Sequence, residues 1–171
     1  MEASKVYYTD FRCPIEVSLP EKLCRLCIAA GIKDIDMDGK FVAIKMHFGE
    51  LGNLAYLRPN YAKAVADLCK EQGGLPFLPD CNTLYPGSRK NALEHLTCAQ
   101  LNGFWPMTTG CQVLIADGLR GTDEVEVPVP GAVFTEPTEF VLNVPKYASG
   151  IYDLKKQNLH LLYKQFLFEG F

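Results

Sequence analysis

The sequence predicts an α/β domain, a three-layer sandwich around a largely parallel sheet. Three observations carry that expectation. Apolar runs of strand length, 41–48 (FVAIKMHF) and 111–116 (CQVLIA), are separated by helix-length stretches with apolar residues at three- and four-residue spacing. The helical patterns close on glycine, at Gly31, at Gly73 and Gly74, and at Gly103. The resulting alternation of strand and helix up to residue 116 is the mark of a parallel sheet with right-handed crossovers.

Taken in order, residues 5–11 (KVYYTDF) read as a first strand, rich in aromatic and β-branched types. Residues 19–30 read as a helix, with Ser18 as N-cap, Pro20 tolerated in the opening turn and Gly31 as the stop. KDIDMDGK is a charged turn into the central strand, 41–48. On that strand Lys45 and His47 share one face, while Val42, Ile44, Met46 and Phe48 take the other. A helix from Pro59 or Asn60 to Gln72 follows. The next strand, 75–79 (LPFLP), is weakened by prolines, which cannot donate to a ladder. Ser88 then caps a helix over 89–102, WPMTTG forms a loop, and the strand 111–116 stops at Asp117 and Gly118. Beyond Gly121, EVEVPV has the alternation of an edge strand or hairpin arm. The stretch 154–168 reads either as a terminal helix or as an irregular tail.

At 171 residues and 48% hydrophobic, the chain is long enough for one sizeable core. A net charge of -3, without a basic run, argues against nucleic acid as a partner. No apolar stretch approaches the ~20 residues of a spanning helix, and the N-terminus lacks a signal pattern, so the expectation is no membrane and a cytoplasmic location. The seven cysteines, an odd number, suit free thiols in a reducing compartment. Cys24 and Cys27 form a CxxC, but inside a helical stripe and with no second pair to answer it, so packing is the better reading.

Ligands of open parallel sheets bind beyond the carboxyl ends of the strands. Polar residues concentrate at three such ends, and the candidate ligand-binding set is Lys45, His47, Glu50, Asn53, Arg58, Asp80, Asn82, Arg89 and Asp117. Thr83 and Asp123 lie in the same loops. His47 is either a structural histidine or a group titrating near neutrality. Lys45 either snorkels to the rim or contacts an anion. Asp80 and Asp117 either cap turns or mark a site, and two aspartates ending two apolar strands are a stronger signal than one. Arg58 and Arg89 near helix starts oppose the helix dipole, which a bound carboxylate or phosphate would offset; surface solvation is the alternative. Cys81, with His47 or His95 as a base, is the one thiol placed for nucleophilic chemistry. GELGN lacks the ending of a phosphate-binding Walker loop.

The strings KMHFGELGNLAYLRP, DCNTLYPGSRKNALEHL and IADGLRGTDEVEVPV give the stretch from about residue 5 to 129 a resemblance to the N-terminal part of the iron-sulfur-centre proteins grouped as domain of unknown function 362. The resemblance implies an α/β domain, joined in typical members to a ferredoxin-like module carrying [4Fe-4S] clusters. The closing KYASGIYDLKKQNLHLLYKQFLFEGF does not follow that pattern, so truncation, a changed reading frame and divergence are open. The expectation is an α/β domain over 1–130, incomplete relative to the family, with a divergent extension at 131–171 that forms no separate domain. Its function is then ligand or metal binding in a redox-associated protein, without the family's cluster-binding cysteines; [4Fe-4S] is implied for full-length members only. The partners expected are a small anionic ligand or metal ion, a redox partner and a second copy of the chain. Two alternatives stand beside this: a metal-dependent hydrolase using His47, Asp80 and Asp117, and a scaffold domain that needs a partner or self-association.

Overall fold

The computed structural model describes residues 5–128 and 141–145. The first helix, α1 (Leu19–Ala29), starts where Ser18 accepts from the Glu21 N–H at 3.3 Å and stops before Gly31, whose φ of +93° only glycine adopts cheaply. A single 3-10 turn at Ile32–Asp34 leads into β1 (Phe41–Ala43). Then come α2 (Pro59–Lys70), β2 (Leu75–Asp80), α3 (Ala92–Leu101), the short α4 (Pro106–Thr109) and β3 (Gln112–Ile115). The three strands form one parallel sheet in the order β1-β2-β3, so the α/β class holds. A hairpin of β4 (Glu124–Pro128) and β5 (Val141–Pro145) pairs antiparallel, with Val125 opposite Val144, as the EVEVPV alternation suggested.

The register places Leu78 opposite Val113 and Asp80 opposite Ile115, and the backbone of Ile44 and Met46 donates to the Phe77 and Pro79 carbonyls. Ile44, Met46, Leu78, Asp80, Val113 and Ile115 share one sheet face. It is covered by α2 and α3: Met46, Phe48, Leu78, Ala62, Ala66, Ala99 and Phe104 make one apolar cluster, joined by Cys111. The alanines at i and i+4 on α2 leave room for Phe48 and Phe104, whose rings lie 5.1 Å apart. The next stripe of α2, Val65, Leu68 and Cys69, packs with Cys27 of α1, Ile32 and Met37 in a second cluster. Cys27 is therefore a core residue, its thiol pushed up to about 12 by burial, as the packing reading of the CxxC required.

Several expectations are corrected. Residues 5–11 form no strand; Val6, Tyr8 and Phe11 are exposed, and Asp10 instead holds the Lys22 ammonium at 2.6 Å. Strand propensity is realised only against a neighbouring strand, and none of the described strands pairs there. The central strand is shorter than 41–48: past Ala43 the pairing continues through single bonds, because Pro79, whose carbonyl faces this strand, has no N–H to give back. Ser88 is not the cap of α3. Asn91 is, accepting from the Glu94 N–H at 3.0 Å, while Ser88 turns to Glu50. WPMTTG contains α4 rather than a plain loop. The stretch 154–168 lies outside the described residues. No helix among the described residues is long and apolar enough to cross a membrane.

Candidate functional site

The carboxyl ends of β1 and β2 lie side by side, and their polar residues meet there. Asp80 ends β2 on the face that carries the core, and its side chain is only 5% exposed. A carboxylate so buried needs compensation. It has four partners. Lys45 Nζ lies 2.5 Å from Oδ1, the Cys81 N–H donates to the same oxygen at 2.9 Å, and Oδ2 lies 3.7 Å from Arg89 Nη1 and 3.2 Å from His95 Nε2. The His95 contact is close but not aligned as a hydrogen bond, since Asp80 Oδ2 and both ring nitrogens are buried without a hydrogen-bond partner among the described residues. Burial pushes the Asp80 carboxyl up, but the His95 ring and the Lys45 ammonium outweigh it and hold the group down to about 2.

Arg89 is buried too, and its fork is spent within the protein. Nε donates to Glu50 at 2.8 Å, Nη2 donates to the Tyr85 hydroxyl, and Nη1 faces Asp80. Glu50 also accepts from Ser88 Oγ at 2.5 Å, and that bond, with Arg89, lowers its pKa despite partial desolvation. Lys45 and Arg89 thus balance Asp80 and Glu50 in one compact ion cluster. Ser88 is shared with an open cavity of about 440 Å³, whose walls include Leu51, Gly87, Leu93, Thr97 and Cys98.

His47 stands beside this cluster. Burial, together with the Arg89 cation, lowers its pKa from the ordinary value of 6.5, against a smaller upward pull from Asp80. Its Nδ1 accepts from the Gly49 N–H at 3.0 Å. That turn depends on glycine: φ at Gly49 is +84°, and a Cβ there would meet Asn102 Nδ2 and the Tyr56 ring at 2.7 Å.

Asp117, at the end of β3, is a different kind of site. Both carboxylate oxygens accept from the Asn82 N–H at 3.0 Å, and Oδ1 also accepts from Asn82 Nδ2 at 3.0 Å. Asn82 Nδ2 also donates to the Gly118 carbonyl at 2.8 Å, so the amide ties the loop after β2 to the turn after β3. Cys81 lies between the two aspartates. Burial first, then Asp117, pushes its thiol up to about 11, which removes it as an activated nucleophile.

Of the nine expected residues, Lys45, His47, Glu50, Asp80 and Arg89 come together, and Asn82 and Asp117 pair next to them. Asn53 and Arg58 do not join. Asn53 Oδ1 accepts from the Ala55 N–H at 2.8 Å in a local turn, and Arg58, at the N-cap of α2, lies over the Tyr56 ring at 5.0 Å. Arg89 is an internal ion-pair partner rather than a free cation waiting for an anion. Ser88 and Tyr85 were missed as site residues, and His95 entered only as a conceivable base. Tyr85 meets Arg89 through the turn before α3, and His95 reaches Asp80 only through the packing of α3; no spacing reveals either.

The trio His47, Asp80 and Asp117 does not assemble as a metal centre: among the described residues no three or more His, Cys, Asp or Glu side chains are placed to hold an ion. The same test applies to an iron-sulfur cluster. All seven cysteines lie among the described residues as free thiols, and burial raises those of Cys27, Cys69 and Cys81, so this donor set does not fit a cluster that needs gathered thiolates.

No curated protein and no solved structure matches this chain at a significant level. The family model described as domain of unknown function (DUF362) matches residues 42–146, more than half of the 171 and the span that carries β1, the ion cluster, the Asn82–Asp117 pair and the hairpin; the chain belongs to that family.

Proposed function

We propose that the chain is a small-ligand-binding α/β domain that takes an anionic ligand at the carboxyl-end rim of its parallel sheet. One observation carries the reading. Lys45 is the cation of the cluster that still reaches solvent, its side chain 43% exposed against 5% for Arg89. Its ammonium has three N–H donors; Asp80 Oδ1 takes one and the Met46 carbonyl, at 3.3 Å, another. The third is available to a ligand oxygen, with His47 as its neighbour on the same strand face.

In the redox setting that the resemblance implies, this domain would hold a ligand, and its seven thiols would not be the ligands of a [4Fe-4S] cluster. Seven free cysteines suit a reducing compartment such as the cytoplasm. Titration of the purified chain with inorganic phosphate and with acetate, followed by amide chemical shifts, tests the reading. The expected result is saturable shifts confined to residues around Lys45, His47 and Cys81, weakened about tenfold in Lys45→Met, as loss of one charged hydrogen bond predicts. Wild-type protein that binds neither anion would refute it.

A further inference from the structure

We infer that His47 serves this rim as a neutral hydrogen-bond donor, presenting its Nε2–H to one oxyanion beside the third N–H of Lys45, and that it is not the general base of a reaction. The inference rests on the anion-binding reading above and adds the role of the ring and the class of ligand.

The argument begins at the backbone. A peptide N–H can only donate, so the ring nitrogen that faces the Gly49 N–H at 3.0 Å has to accept. In a neutral imidazole the proton then sits on the other nitrogen, which leaves Nε2–H pointing away from the turn. Among the described residues Nε2 meets no hydrogen-bond partner, and the residue, though partly covered, still reaches solvent. The turn cannot easily adapt, because Gly49 is buried and wedged against Tyr56 and Asn102. Protonating Nδ1 would set two donors against each other in that fixed geometry.

The surroundings agree with the neutral form. The charged groups that face the ring are Arg89 and Lys45, which oppose a further positive charge, and Asp80 and Glu50, which favour it. Both carboxylates are engaged: Asp80 by Lys45, Arg89 and the Cys81 N–H, Glu50 by Arg89 and Ser88. A base at Nε2 would need its lone pair there, and the Gly49 contact puts the lone pair on Nδ1 instead. What remains is a pair of outward donors over a cluster in which two cations meet two carboxylates. Such a neutral platform suits a single oxyanion head, a carboxylate or a phosphate, rather than a polyanion.

The decisive measurement uses the wild-type full chain. Long-range ¹H–¹⁵N correlation of the His47 ring at pH 7.5 is expected to show a protonated Nε2 and a bare Nδ1; the opposite tautomer, or an imidazolium, overturns the inference. Two variants then separate the ring's atoms. Gln places an amide where Nε2 lies, whereas Asn places its oxygen where Nδ1 lies. In titrations with phosphate and with acetate, His47→Gln should bind the preferred anion within about threefold of wild type, and His47→Asn about tenfold more weakly, the loss expected for a hydrogen bond to a charged acceptor. Equal losses in both variants, with wild type still binding, overturn the donor role alone. No binding by wild type overturns the anion site itself. The two arms say whether the head is a carboxylate or a phosphate.

Discussion

Asp80 and Asp117 look alike in the sequence, each ending an apolar strand and each followed by turn residues, yet the fold uses them in opposite ways. Asp80 is surrounded by two cations, Lys45 and Arg89, with the His95 ring against it and Glu50 one step further. Asp117 is held by the amides of Asn82. The reason is position. β2 lies between the other two strands, so β1 brings Lys45 to its tip and α3 brings His95. β3 pairs only with β2 among the described residues, and its tip meets the loop that leaves β2. The same residue type therefore builds a charge cluster beside one neighbour and a turn clamp beside another.

The contrast is broken most forcefully at Asp80. Asp80→Ala leaves Arg89 buried with Glu50 as its remaining carboxylate partner, and unfolding in urea should show a loss of about 3–5 kcal/mol, the cost of opening a buried pair from one side. A loss below about 1 kcal/mol would mean that the cluster is solvated and does not behave as a buried one.

Acid offers a second route, with a smaller effect. The Asp80 carboxyl is held below its ordinary 3.8, at about 2, so its contribution is complete above 3.8 and disappears as pH falls towards 2, because only the unfolded chain takes up the proton in that window. The difference corresponds to about 2 kcal/mol. His47 is lowered as well, so stability should begin to fall with the same sign just below 6.5. Denaturation midpoints between pH 7 and 2 should show both steps. Asp80→Asn should shrink the acid step to the part that Glu50, also held low, contributes, and leave the one near neutrality; an acid step of unchanged size belongs to another carboxylate.

Asp117→Ala tests the clamp. It strips acceptors from the Asn82 N–H and amide, and about 1–2 kcal/mol should be lost, less than at Asp80 because the stranded groups are neutral. Amide hydrogen exchange should speed up in the 80–83 and 117–123 loops, while the pH dependence assigned to Asp80 stays unchanged. A matching loss of the acid step would show that the two aspartates act as one unit. Asn53→Ala and Arg58→Ala should be the mildest changes, each within about 0.5 kcal/mol and without effect on anion titration, since Asn53 serves a local turn and Arg58 lies over the Tyr56 ring. If Arg58→Ala weakens anion binding, the site extends further along the loop than the geometry gives it.

Much of this was legible before any coordinates. The alternation of 41–48 separated Lys45 and His47 from Met46 and Phe48, and the structure buries the second pair while exposing the first. Asp80, Glu50 and His47 were named because polar residues gather at strand ends. Arg58 was misjudged for a physical reason: proximity to a helix start says nothing about which way a long side chain turns, and Tyr56 offered it a ring. Residues 5–11 misled in the same way, since β-propensity measures fitness for a pleated surface and not the presence of one.

Sequence by itself determined the class of fold, the helix limits set by Ser18, Pro59 and glycine, the burial face of the central run and the residues available at the rim. Those are local matters of steric preference, capping and apolar period. Tertiary structure decided which carboxylate meets which cation, that Arg89 is internally neutralised, that His95 lies against Asp80 and that Gly49 fixes the ring of His47. Hydrogen bonds and contact ion pairs form only at about 3–4 Å, so partners drawn from separate elements are chosen only when packing has set the distances between them.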